Sequence, residues 1–140
     1  MENKLKHLEL IQNIISRMAS NSFLLKGWSV TLVSALFALA AKDQHLAFVY
    51  LAYFPAIAFW ILDGYFLWQE RLFRALYDQV RIETDDKKID FSMNTKHLLK
   101  NVSSWIEIMF SSTLLIFHGA IIVSIILVMS ILLYFKFQWA

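Results

Sequence analysis

A chain of 140 residues that is 59% hydrophobic, 16% aromatic and only 17% charged is too apolar for a water-soluble domain of its size, so lipid is expected to cover part of it. The formal net charge of +2 sums two different faces of such a protein and singles out no partner. With no cysteine in the chain, disulfide frameworks and thiolate chemistry are excluded.

Residues 2 to 20 place Leu5, Leu8, Ile11, Ile14, Ile15 and Met18 at three- and four-residue spacings, with Lys4, Lys6, Glu9, Asn13 and Arg17 between them. That spacing predicts an amphipathic helix over 1–20, lying on a membrane surface or packed on a partner helix. A charge-free stretch from Gly27 to Ala41 follows, and a first transmembrane helix is expected over 22–41. The small-residue end of that stretch resembles a signal-peptide cleavage site, but the polar lead-in is too long for a secretory signal. Lys42, Asp43, Gln44 and His45 form a short polar link into a second charge-free stretch, Gln44 to Leu62, so a helical hairpin with a second span over 46–68 is expected. Pro55, the only proline, falls inside that span and removes one backbone donor.

No glycine or proline interrupts Gln69 to Val80, so the second span is expected to continue as a helix beyond the bilayer, with Phe73, Leu76, Tyr77 and Val80 on one face. Glu83 to Asp90 reads as a charged turn. A further helix from about Asn94 is expected to lead into the third span, completing a helical cytoplasmic segment over 69–106. Ile108 to Phe135 runs 28 residues without a formal charge, longer than the roughly 20 residues that cross a bilayer, so this third span, 108–135, is expected to tilt or to extend past it. An exoplasmic tail, 136–140, completes the chain. The expected fold is thus all-α, an integral membrane protein of three transmembrane helices.

Basic residues set the expected orientation. Lys4, Lys6, Arg17 and Lys26 precede the first span, and Arg71, Arg74, Arg81, Lys87, Lys88, Lys96 and Lys100 lie between the second and third, against only Lys42 and Lys136 opposite. The N-terminus and the 69–106 segment are therefore expected on the cytoplasmic side of a bacterial inner membrane, and the C-terminus outside. Trp68 and Trp105 would sit at the inner interface, with Tyr134 and Trp139 at the outer one. That topology puts the sequon Asn101, Val102, Ser103 on the wrong face for glycosylation.

Within the spans the polar residues are few. Lys26 and Asp63 fall at similar depth when counted from the hairpin tip, and a lone charge at such depth costs about 2.5–3.5 kcal/mol on insertion scales, so the two are expected to pair, as a structural clamp or as part of a gate or ion pathway. Gly27, Gly64 and Gly119, one per span, and the pair Ser34 and Ala38 would allow close helix approach. His118, near Ser111, Ser112, Thr113 and Ser124, could ring a pore together with Ser111 and Thr113 in a homo-oligomer, or hydrogen-bond to a neighbouring helix. The arc Arg71, Arg74 and Arg81, followed by Lys87 and Lys88, is the candidate for binding an anion such as a nucleotide or a phospholipid head group. The same charges are also what topology requires, and nearby acidic residues almost cancel them. No catalytic or metal-binding motif occurs, and His7, His45, His97 and His118 are scattered, so neither an enzyme nor a cofactor or metal site is expected. Asp63 with His118 is the sole conceivable acid and base pair, and nothing in the sequence aligns them.

The segments RMASNSFLLKGWSVTLVSALFALAAKD (Arg17 to Asp43) and AYFPAIAFWILDGYFLWQERLFRALYDQVR (Ala52 to Arg81) resemble a family of small bacterial multi-span membrane proteins. They are similar to short membrane effectors of prokaryotic antiviral defence operons, of which the channel of the Hailong system is one. The resemblance covers roughly the first 80 residues. It implies a channel gated by a nucleic-acid-like messenger; because three spans give too little surface to enclose a pathway, such a channel is expected to be a homo-oligomer that depolarises the membrane, held by a regulatory ligand or a soluble operon partner. No residue role transfers with it. The alternative is a non-conducting scaffold or sensor that recruits a soluble enzyme through the 69–106 segment.

Overall fold

The computed structural model describes residues 1–138, so Trp139, expected in the outer aromatic belt, lies outside the described residues. Among these the chain is all-helical and has three helices long and apolar enough to cross a membrane. They are α1 (Glu2–Asp43), α2 (Leu46–Ile82) and α4 (Ser112–Gln138), with a short helix α3 (Trp105–Met109) before the last.

The amphipathic segment and the first span are one helix. Nothing between Glu2 and Lys26 breaks the backbone ladder, since Ser20, Asn21 and Ser22 carry no helix-ending geometry, and α1 runs 42 residues, about 63 Å at 1.5 Å per residue. Gln44, at φ 52°, takes the left-handed conformation that ends the helix and turns the chain. The second helix returns antiparallel through Pro55 without losing helical structure and continues to Ile82, as its uninterrupted sequence predicts.

Two cores are stacked along this hairpin. In the stalk, remote from the hairpin tip, Ile11 and Ile15 of α1 pack with Leu72, Leu76 and Val80 of α2 and with Ile89 and Leu98 of the connecting loop. The middle of the amphipathic face of 2–20, at Ile11 and Ile15, is thereby covered by the chain itself, while Leu5 stays exposed. Nearer the tip, Val33 and Ala40 meet Val49, Ala52 and Ala56, closed off by Ile121 and Ile125 of α4. The last helix lies against α2 and touches α1 at few points.

The expected helix leading from Asn94 into the third span does not form. Side chains take the amide groups it would need: Asp90 accepts from the Ser92 N–H, Ser92 Oγ from Asn94 and Asn94 Oδ1 from Lys96, each at 3.0–3.1 Å. Such i to i+2 turns compete directly with helical bonding. Only 3-10 turns at Asp86–Lys88 and Lys96–Leu98 interrupt the loop. Helix restarts at Ser104, whose hydroxyl accepts from the Glu107 N–H while the Glu107 carboxylate accepts from the Ser104 N–H, a capping box. It stops again at Phe110 and Ser111 before α4 begins, so α3 and α4 are separate pieces.

Candidate functional site

Asp63 organises the site. Its side chain is 0% exposed, and Lys26 Nζ lies 2.5 Å from Oδ2, so the pairing expected from equal depth is present in the geometry. Two further groups complete a network that spacing alone does not reveal. Ser22, one turn before Lys26 on the same face of α1, donates its hydroxyl proton to Asp63 Oδ1 and accepts from Lys26 Nζ at 2.8 Å. From α4, His118 Nε2 approaches Oδ2 to 2.8 Å, with its side chain 1% exposed. A carboxylate only accepts, so this contact puts a proton on Nε2; in a neutral ring Nδ1 is then an acceptor. That Nδ1 atom is buried with no partner. Nothing in residue spacing aligns Asp63 with His118, and the fold does so.

The alignment has identifiable causes. Two indoles staple α3 to α2 in opposite directions: Trp60 donates to the Met109 carbonyl at 2.9 Å, and Trp105 donates to the Ile61 carbonyl at 3.2 Å. Between them Gly64 permits close contact, because a Cβ there would stand 2.5 Å from Met109 Cγ and 3.3 Å from Trp105 Nε1. Held at this height, the break at Phe110 and Ser111 sends α4 back along α2, and His118 arrives level with Asp63. The Trp60 ring stacks on the imidazole at 5.9 Å with planes 5° apart, and Lys26 Nζ lies 5.8 Å from the centre of the Phe117 ring. Ser29, on the same face of α1 one turn nearer the tip than Lys26, is also fully buried with an unpartnered hydroxyl.

Chemically, this is a charge-compensated lock across three helices. Ser22 beside Lys26 has the composition of a serine–lysine nucleophile and base, but both side chains are engaged by Asp63, and Ser22 is itself buried.

The other residues singled out from sequence lie elsewhere. Ser111 has a buried, unpartnered hydroxyl at the α3–α4 break, and Thr113 is exposed on the first turn of α4. On the stalk, Arg74 pairs with Glu70 at 2.8 Å and Arg81 with Asp78 at 3.2 Å, within their own helix. Arg71, Lys87 and Lys88 make no ion pair among the described residues. The loop is strapped to the start of α1. Lys4 Nζ donates to the carbonyls of Glu83 at 2.5 Å and Arg81 at 3.3 Å, and the Met1 ammonium reaches Asp86 at 2.6 Å. The ammonium holds the Asp86 carboxyl below its ordinary value, as the donated Asp85 N–H does for Glu83.

No group of three or more metal-ligating side chains occurs among the described residues. No family profile, curated protein or solved structure matches the chain.

Proposed function

We propose that the chain is one subunit of a homo-oligomeric channel or pore-forming effector of the bacterial inner membrane, opened by a ligand or partner at its cytoplasmic stalk and acting by depolarisation. The observation that carries this reading is where polarity lies. The strong charges of the spans are collapsed into the closed interior of one subunit, which leaves no path through a single chain. The outer face of α1, by contrast, exposes Gly27, Thr31, Ser34, Ala35 and Ala38 without a covering element. Gly27 has nothing within 4 Å of the position its Cβ would take, so packing within the chain does not require a glycine there. A weakly polar, small-residue face suits contact with further copies of α1 around an axis, where hydroxyls would meet permeating ions. Three spans enclose no pathway alone, whereas copies can.

Lys26, Asp63 and His118 then act as a gate inside each subunit, with Ser111 and Thr113 near the cytoplasmic mouth. Arg71, Lys87 and Lys88 are the basic groups left for an anionic messenger, since Arg74 and Arg81 are engaged in their own helix. The resemblance to defence-operon effectors adds antiviral action to this proposal. Liposomes containing the purified protein, loaded with a potential-sensitive dye, test it: cytoplasmic extract from phage-infected cells is expected to collapse an imposed potential, and extract from uninfected cells is not. Persistent impermeability under both conditions would sink the reading.

The packed stalk core favours one alternative, a non-conducting scaffold whose 69–106 segment recruits a soluble enzyme. Stoichiometric co-purification of such a partner, with no axial path in the assembly, would identify it.

A further inference from the structure

The lock around Asp63 has one feature that a purely structural clamp does not need. Its third member is, among the described residues, the single side chain that ties α4 to the polar network, and its second ring nitrogen is buried without a partner. Every ionisable group that reaches the imidazole can be named. Asp63 faces it from α2 and Lys26 from α1, both through the same oxygen, Oδ2, at 2.8 Å and 2.5 Å. From α3 come only Trp105 and Met109, packed against Gly64, because Glu107 is held in its cap with Ser104.

With neutral His118 the charges of the set cancel. A second proton, on Nδ1, would leave two cations sharing one carboxylate oxygen, a net positive charge inside three helices, and a new N–H with no acceptor. Each of these opposes burial. The site can relieve them by admitting water, by turning the partly exposed Lys26 outward, or by letting α4 move away. The surroundings of α4 make the last route accessible. It begins at the break after Phe110, has thin packing on α1, and stands off from the hairpin tip at its far end across a cleft of about 920 Å³ lined by Gln44, His45, Leu46, Leu132, Phe135 and Lys136.

The geometry points to His118 as a proton-binding site that latches α4: neutral imidazole holds the helix on Asp63, and protonation releases it, so that acid at the cytoplasmic face swings α4 outward. What that movement does to permeability rests on the channel reading, but the movement itself does not.

The chain has no cysteine, so the pair Leu51→Cys on α2 and Ser130→Cys on α4, both exposed, can be spin-labelled without background. The labelled protein is diluted with unlabelled chains in nanodiscs, so that distances within one chain are read whether or not the assembly conducts. Between about pH 7.5 and about pH 5, where histidine ordinarily changes charge, the distance is expected to lengthen by about 5 Å, on the order of one helical turn. In His118→Gln, whose amide can still donate to Asp63 but does not titrate, the short distance should persist at both ends; His118→Asn replaces it if the glutamine variant does not assemble. A wild-type distance unchanged across the interval overturns the latch, and so does a change that survives in the glutamine or asparagine variant, which would assign the movement to another titrating group such as His45, which faces Lys136 across the cleft. A protein that moves but never leaks keeps the latch and loses the channel.

Discussion

Asp63 accepts from three side chains on two other helices, and its removal strands more than one of them. Asp63→Leu leaves Lys26, whose side chain is 22% exposed, without its carboxylate, and strips His118 of its acceptor. Breaking a buried pair from one side costs about 3–5 kcal/mol, whereas replacing all of its members by apolar groups of similar volume is often neutral. The expected order of thermal stability in detergent is therefore wild type close to the triple variant K26M/D63L/H118L, with D63L well below both. The exchange K26D/D63K should recover only part of the loss, because it restores the ion pair but sets an ammonium against His118 and Ser22. Full recovery by that exchange would mean that Lys26 and Asp63 interact as an isolated pair. The pairing was legible in the sequence from depth counting, and Ser22 could have been found as the residue one turn before Lys26 on the same face. His118 could not: fifty-five positions of chain separate it from Asp63, and the loop between obeys no period.

At the scale of elements, the position of α4 is decided by α3, five residues whose fixation depends on two reciprocal indole hydrogen bonds and on the absence of a side chain at Gly64. Gly64→Ala puts a methyl group against the middle of the Met109 side chain, where the neighbour cannot simply swing aside. A loss of about 1–3 kcal/mol is expected from such overpacking, read as earlier thermal unfolding in detergent, together with faster hydrogen exchange in α3. An unchanged stability would show that α3 is loosely seated. The three long helices were readable because hydrocarbon tolerates no run of charge, and the helical continuation of α2 because nothing breaks it. The start of α3 was also written in the sequence, as Ser104 followed three residues later by Glu107, a signal the reading from hydropathy passed over. The coil before it was hidden because Asp90, Ser92 and Asn94 look like tolerable helix residues until their side chains are seen capturing the backbone two positions on.

For the molecule as a whole, the glycines divide the surfaces. Gly64 is occupied by the chain's own packing, while Gly27 faces nothing within it. Substituting a bulky side chain at the second should therefore leave the subunit folded and disturb only what lies outside it. If copies meet as proposed, Gly27→Leu is expected to retain wild-type helicity and stability while shifting the assembly to smaller oligomers by native mass spectrometry in micelles, with dye leakage abolished in parallel. Unaltered assembly would place the contact between copies on another face. Whether copies meet on this face was beyond what the sequence could supply, since a stripe of small residues reads alike whether it meets a sister helix or lipid.

The unbroken length of α1 has a mechanical consequence. Its 42 residues cover about twice the 30 Å of a bilayer's hydrocarbon, so Ile11 and Ile15 in the stalk and Lys26 at the lock are fixed to a single rod with no joint between them. A few degrees of twist imposed on the stalk, by any molecule that seats there, is carried along the helix to the Lys26 ammonium, about three to four turns away. A crankshaft of this kind needs no chain of intermediary side chains to carry a signal inward.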